Sequence, residues 1–341
     1  MTHPPTRHED EKAAGMPREA VEKLSPAPSP AGEPLVSVVI RTIGRPEVVE
    51  ALASVAAQTY PSVEVVLVDA AGGHSSWPAT CGRFPLRVCS HGSPLSRSQA
   101  ANAGLSAVTG EMVILLDEDD LFLPGHLADL VATLAANTDA VLAYADVEGR
   151  GPSGEAVRIF AQEFSPPALM AGNFIPLHAA LFRAAALQAG CRFDEALPVF
   201  EDWDFFLQLE RFGRFVHLGR TGAVYRAIGN SQVGLKADEQ ATLQGRAEIL
   251  AKWKTVWTGK QLADLVEHLN EEIRARERRV GDCETCRELL RQRCAQLEAR
   301  VATLAQDHQA LAASLATLEA SRSWRLTRPL RWLAALFSRR G

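Results

Sequence analysis

The alternation that begins at Leu35 restricts the fold more than any other feature: LVSVVIR, PEVVEALASVAAQ and VEVVLVD follow one another as an apolar run, a helical pattern and a second apolar run. Such runs suit strands buried on both faces, and a helix between two of them makes a parallel crossover. The same alternation continues through LRVCS, the helix-like SRSQAANAGLSAV, the strand MVILLD, the helical LPGHLADLVATLAAN and the strand AVLAYADV. This pattern predicts an α/β domain whose mainly parallel sheet is covered on both faces. Pro46 suits the first turn of the first helix, and Glu47 and Glu50 complement the positive end of its dipole. Ligands of such sheets lie beyond the carboxyl ends of the strands, where Asp69 and Asp117 end two predicted strands. Helix capping is the alternative role for either aspartate taken alone.

The remaining chain divides by composition. Residues 1–34, rich in proline and charge (SPAPSPAGEP), show neither period and are expected to be a disordered leader. A domain over 35–235, a helical linker over 236–261, a coiled coil over 262–319 and a basic tail over 320–341 complete the expected organisation. The net charge of -5 speaks against a general attraction to nucleic acid. Six scattered or helix-borne cysteines make no small disulfide framework. With no signal-like apolar core and no window of about 18 apolar residues, the sequence predicts a cytoplasmic protein.

LLDEDDLFLP places Asp117, Glu118, Asp119 and Asp120 directly after a buried strand and before the helix that Pro124 is expected to open. Neighbouring carboxylates repel unless a cation is shared, and Mg²⁺ or Mn²⁺ takes oxygen ligands from one or two carboxylates plus substrate phosphates. In an extended segment Asp117 and Asp119 would point the same way. A diphosphate-bearing substrate is the simplest inference.

VSVVIRTIGRP, AAQTYPSVEVVLVD, AANAGL, LLDEDDLFLP and VFEDWDFFLQL together resemble, in order, glycosyltransferase family 2, over about Leu35 to Gln232. The resemblance implies a GT-A type, Rossmann-like fold, a nucleotide-diphosphate sugar donor, Mn²⁺ or Mg²⁺, and inverting transfer to a hydroxyl acceptor. Carried over by position, Asp119 and Asp117 match the family's metal and nucleotide carboxylates, with Asp119 the direct ligand. Thr42 matches a residue near the nucleotide base, Arg97 a basic residue near the nucleotide, and Asp202 the catalytic base. Asp69 and Glu118 join the expected nucleotide- and cofactor-binding set. Two departures stand out: Ala70 replaces a second aspartate after the second strand, and Arg41-Thr42-Ile43-Gly44 replaces the usual Pro-Thr-Tyr-Asn. They leave open a second reading, a catalytically degenerate scaffold that binds sugar nucleotide. Glu201 and Asp202 also suit the first turn of the helix WDFFLQLERF. Trp203 reads first as core, and His178 and His217 as structural groups.

From Leu262 to Leu318 the sequence advances by four and three alternately through an apolar seam broken only by Arg276, Arg287 and His308. Such a repeat implies a left-handed coiled coil, most simply a homodimer, with packing of the helix back on its own catalytic domain as the alternative. Cys283 and Cys294 fall on the seam as small apolar residues, because a zinc knuckle at Cys283 and Cys286 would need a turn between them. SRSWRLTRPLRWLAALFSRRG combines tryptophans, leucines and arginines, a composition suited to peripheral contact with an anionic membrane face and equally to capping the coiled coil or docking on a partner protein. With the family resemblance, that points to a glycan or lipid-linked acceptor in bacterial surface-polysaccharide synthesis at the inner face of the membrane. The basic tail also resembles tails of other bacterial glycosyltransferases that build surface polysaccharides.

Overall fold

The computed structural model describes residues 32–73, 76–226 and 239–321, with Trp324 and Thr327. Most of the expected leader and most of the basic tail lie outside the described residues. In chain order the elements are β1 (Val36–Thr42), α1 (Val48–Ala56), β2 (Val63–Asp69), β3 (Thr80–Cys81), β4 (Phe84–Ser90), α2 (Arg97–Ala107), β5 (Met112–Asp117) and β6 (Leu121–Phe122). There follow α3 (His126–Ala136), β7 (Ala140–Arg150), β8 (Ala156–Phe160), α4 (Pro166–Ala171), β9 (Ala180–Arg183), α5 (Ala185–Gln188), α6 (Glu201–Glu210) and β10 (Arg214–Arg226). Two helices close the described chain, α7 (Glu239–Trp253) and α8 (Gly259–Ala320).

Among the described residues the sheet runs β3-β4-β2-β1-β5-β9-β7-β10-β6, with β8 on β7. The apolar runs explain its centre: β2 is buried throughout and β1 at every position except Arg41. β4, β2, β1 and β5 are parallel; α1 makes the crossover from β1 to β2 and α2 the one from β4 to β5, while the β2-to-β4 connection runs through a loop and the short β3. Beyond β5 the sheet is mixed: β9 pairs antiparallel with both β5 and β7, while β10 pairs parallel with β7. The chain reaches β9 through α4 and a short 3-10 turn at Leu177–Ala179, entering against the strand direction.

Helix α2 carries almost no amphipathic signal because its buried face is made of small residues, among them Ala100, Ala101 and Gly104. A Cβ at Gly104 would lie 2.3 Å from Val39 Cγ1, so glycine lets this helix press onto β1. Its start is well specified: Ser96 and Gln99 form a reciprocal capping box. Helices α1 and α3 begin slightly later than expected, at Val48 and His126, because Pro46 and Pro124 sit in the preceding turns.

The segment expected to link domains contains α7, whose Ile249 and Trp253 are buried in the core. Its anchor is Asp204, fully buried, which accepts from Trp253 Nε1 at 2.8 Å, Lys252 Nζ at 2.9 Å and Gln208 Nε2 at 2.7 Å. Helix α8 runs 62 residues with none buried. No helix of the described residues is long and apolar enough to cross a membrane.

Candidate active site

Three parallel strands set the floor of the site. Thr42 at the end of β1 is in register with Asp69 at the end of β2, and Arg41 with Asp117 at the end of β5. Asp69 is buried, its Oδ1 accepting from the Ala71 amide at 3.1 Å and its Oδ2 lying 3.5 Å from Trp77 Nε1. The indole is a partner that spacing alone did not suggest.

Glu118 is enclosed by the loop after β1. Its Oε2 accepts from Thr42 Oγ1 at 2.5 Å, the Ile43 amide at 3.3 Å and the Arg45 amide at 3.1 Å, while Thr42 Oγ1 accepts from the Gly44 amide at 2.8 Å. Glu118 thus shapes the loop that carries Ile43, which is half exposed at the mouth.

Asp117 and Asp119 do not lie on an extended segment. The chain turns after β5, closed by the Asp120 amide donating to Asp117 O at 3.1 Å, which separates their surroundings. Asp117 is clamped by Arg41, whose Nε and Nη2 donate to Oδ1 at 2.9 and 2.5 Å. Burial alone would raise the Asp117 pKa; Arg41, then Arg97 and His178, hold it below the usual carboxylate range. Asp119 has no such clamp. Burial, followed by repulsion from Asp120 and Asp117, pushes its carboxyl up to about 6, against the pull of Arg45 at 3.5 Å.

Asp120 is committed inward. Its Oδ2 lies 2.9 Å from His178 Nδ1 and its Oδ1 accepts from the Arg226 amide at 2.9 Å. Burial opposes a charge on His178, but Asp120, Asp117 and Asp119 together raise its pKa. The ring stacks on Tyr225, and its buried Nε2 has no hydrogen-bond partner. The expectation of a fully satisfied structural histidine therefore holds for one nitrogen only. His217 lies between Asp146, 2.6 Å from its Nε2, and the Tyr144 ring, with its Nδ1 3.1 Å from Glu163.

Helix α6 supplies the opposite wall. Phe200, just before it, adopts φ 63 and ψ 24, the left-handed conformation that a bulky residue reaches at about 1–2 kcal/mol. That turn swings Glu201 and Asp202 to the head of the helix. Asp202 Oδ2 accepts from Asn173 Nδ2 at 2.8 Å and Oδ1 from the Trp203 amide at 2.7 Å. Burial and the adjacent Glu201 raise its pKa to about 6, more than these bonds and Arg41 lower it. Trp203 is core, as expected, with Nε1 donating to Leu169 O at 2.6 Å.

Arg41 joins the two walls. Besides clamping Asp117 it donates to Arg97 O at 3.3 Å, and its charge is felt by Glu201 and Asp202. Arg97, half exposed, stands 3.9 Å from Glu201. Between them opens a cleft of about 410 Å³ lined by Ser96, Arg97, Ser98, Leu197, Pro198 and Glu201, among others. Glu201 lines this cleft, and neither Asp119 nor Asp202 does. Sequence reasoning missed the Arg41 clamp, Asn173 and the Phe200 turn. Of these only Arg41 left a trace, as a cation ending a buried strand beside an acidic run.

No three His, Cys, Asp or Glu side chains among the described residues form a metal site by themselves. The donor set still fits a hard divalent ion, which needs only one or two carboxylates when substrate phosphates complete its shell. Asp119 is an under-compensated carboxylate, and neither Arg41 bond uses Asp117 Oδ2.

The strand order defines an α/β domain built on a mixed sheet, followed by a long C-terminal helix. Residues 37–189 match the family model described as Glycosyl transferase family 2. The chain is 25% identical over 199 residues to the uncharacterized glycosyltransferase YwdF of Bacillus subtilis, covering 56% of this chain and 73% of that protein. An uncharacterized glycosyltransferase of Haemophilus influenzae is 25% identical over 183 residues, 51% of this chain and 62% of the relative. Among solved structures, S. aureus TarS 1-349 in complex with UDP-GlcNAc has a TM-score of 0.48 and 20% identity, covering 65% of this chain and 73% of that one. Mannosyltransferase PcManGT from Pyrobaculum calidifontis, in complex with GDP-Man and Mn2+, has a TM-score of 0.44 and 18% identity, covering 72% and 83%.

Proposed function

We propose that the chain is an inverting glycosyltransferase that moves a sugar from a nucleotide-diphosphate donor to a hydroxyl acceptor. The observation that carries this reading is Asp202: a carboxylate poised at about 6, with each oxygen held by one donor, at the head of α6 next in sequence to Glu201, which lines the cleft. A general base works best near the operating pH, and two fixed hydrogen bonds aim its remaining lone pairs. In the proposed reaction Asp202 takes the proton of the acceptor hydroxyl as that oxygen attacks the anomeric carbon opposite the diphosphate. The cleft along Arg97 and Glu201 receives the acceptor.

Asp119, with Asp117 Oδ2, is assigned to Mn²⁺ or Mg²⁺, which when bound would compensate the negative charge growing on the departing diphosphate. Arg45 and Arg97 add fixed positive charge at the same mouth. Thr42 and Asp69 face the nucleotide, and Glu118 acts on it through the loop that it holds. We assign catalysis to 35–235, a linker role to 236–261, self-association with a second copy to 262–319, and peripheral membrane contact to 320–341. A glycan or lipid-linked acceptor in bacterial surface-polysaccharide synthesis, met at the cytoplasmic face of the membrane, fits that arrangement.

A panel of nucleotide sugars incubated with Mn²⁺ and lipid-linked or glycan acceptors tests the reading. Transfer that disappears in Asp202→Asn supports it. The Arg41 clamp on Asp117 favours one other reading, a catalytically degenerate scaffold. Donor binding without transfer or hydrolysis across the whole panel would establish that alternative.

A further inference from the structure

Helix α8 exposes its apolar seam: Val266, Ile273, Leu290, Val301 and Leu311 are each more than half exposed. At 1.5 Å per residue its 62 residues extend about 93 Å. A second α8 matches that face in length, period and apolar content. Its direction is decided by the residues that interrupt the seam.

In a parallel pair each seam residue meets its own copy. Arg276 and Arg287 would then face themselves, and the acidic start of the helix, Asp264, Glu267, Glu271 and Glu272 against Lys260, would lie beside itself. Antiparallel pairing with the ends flush sets Leu262 beside Leu315, Val266 beside Leu311 and Leu269 beside His308. Arg276 then faces Val301 and Arg287 faces Leu290, so their stems lie on apolar neighbours while the guanidinium heads reach water. The acidic turns run along 304–317, where Asp307 is the only Asp, Glu, Lys or Arg. Parallel pairing has two attractive edge pairs, Arg279 with Glu284 and Arg293 with Glu298, but Glu272 against Glu277 offsets one. Antiparallel pairing keeps Glu284 with Arg291 on both sides but sets Glu277 against Glu298, Arg279 against Arg300 and Glu272 against Asp307; exposed pairs of this kind contribute little either way, so the residues that interrupt the seam decide the direction.

We propose that a second copy of this chain covers α8 in antiparallel orientation, bringing Cys283 of each chain against Cys294 of the other. The proposal rests on α8 being a self-association helix, which sedimentation of the full chain tests first. A monomer overturns both; a dimer isolates the orientation.

The chain carrying Cys89→Ser and Cys286→Ser is then treated with diamide, which takes two electrons and two protons from a thiol pair as the disulfide forms. Disulfides need Cα atoms within about 7 Å. A linked dimer lost on either Cys283→Ser or Cys294→Ser alone is the expected result, because Cys283 and its own copy would stand about 16 Å apart along the axis. Survival of the link in both single variants means parallel pairing and overturns the proposal. A dimer that does not cross-link is decided by fluorophores on Lys260→Cys and Thr317→Cys in a background also lacking Cys283 and Cys294. Energy transfer is expected between 260 and 317 of opposite chains and not between the two 260 positions, about 86 Å apart. Efficient transfer between the 260 positions overturns the proposal.

Discussion

Arg41 grips a single carboxylate oxygen of Asp117, through Nε at 2.9 Å and Nη2 at 2.5 Å, across paired positions of two parallel strands. A family-like proline in that place could make no such contact. The guanidinium offsets the first carboxylate of the acidic run and lends part of its charge to Asp202.

Replacing Arg41 with Gln leaves Asp117 ionised and unpaired. Because Asp117 is 40% exposed at its side chain, the expected loss is about 1–3 kcal/mol, below the range for a fully buried pair. Chemical denaturation measures it. Adding Asp117→Asn should recover part of the loss; no recovery would separate the two residues energetically.

Asp202→Asn should lower turnover on the order of 10²–10⁴-fold while donor binding persists. In the unmodified protein kcat/KM should fall tenfold per pH unit below about 6, where Asp202 takes up a proton. Asn173→Ala removes a bond to the ionised form and should move that limb to higher pH. The sign for stability is opposite to that of an ion-paired aspartate. With the folded pKa raised, stability falls as pH rises from about 4, the unfolded value, to about 6. Denaturation of Asp202→Asn should lack this contribution.

Chelation should weaken nucleotide-sugar binding, with Mn²⁺ or Mg²⁺ restoring it. In Asp119→Ala the affinity should no longer respond to metal. Calorimetric titration with and without chelator reads both, and a retained metal response would move the ion elsewhere.

Asp120→Ala should destabilise the fold by about 3–5 kcal/mol, since it strips a buried partner from His178 and from the Arg226 amide. Gly222→Ala should also destabilise, because its Cβ would come within 2.1 Å of the buried His126 ring. Thermal melts of each variant check these values.

The local sequence determined the elements of the α/β half. Apolar runs long enough to be buried on both faces became β1, β2 and β5, and their parallel pairing follows from the intervening helices, so Thr42, Asp69 and Asp117 had to reach one edge. The seam of α8 was equally legible, because a 3.5-residue period survives without any tertiary contact. Tertiary structure alone decided what each carboxylate does. Asp117, Glu118, Asp119 and Asp120 are consecutive and nearly identical in chemistry. One meets a guanidinium, one a loop's amides and the Thr42 hydroxyl, one burial and its own neighbours' repulsion, and one a buried imidazole. The antiparallel β9, the left-handed Phe200 and the Asn173 bond depend on residues far apart in the chain. Periodicity reports only which face of an element is buried, and charge at a site depends on what lies within a few ångströms in space.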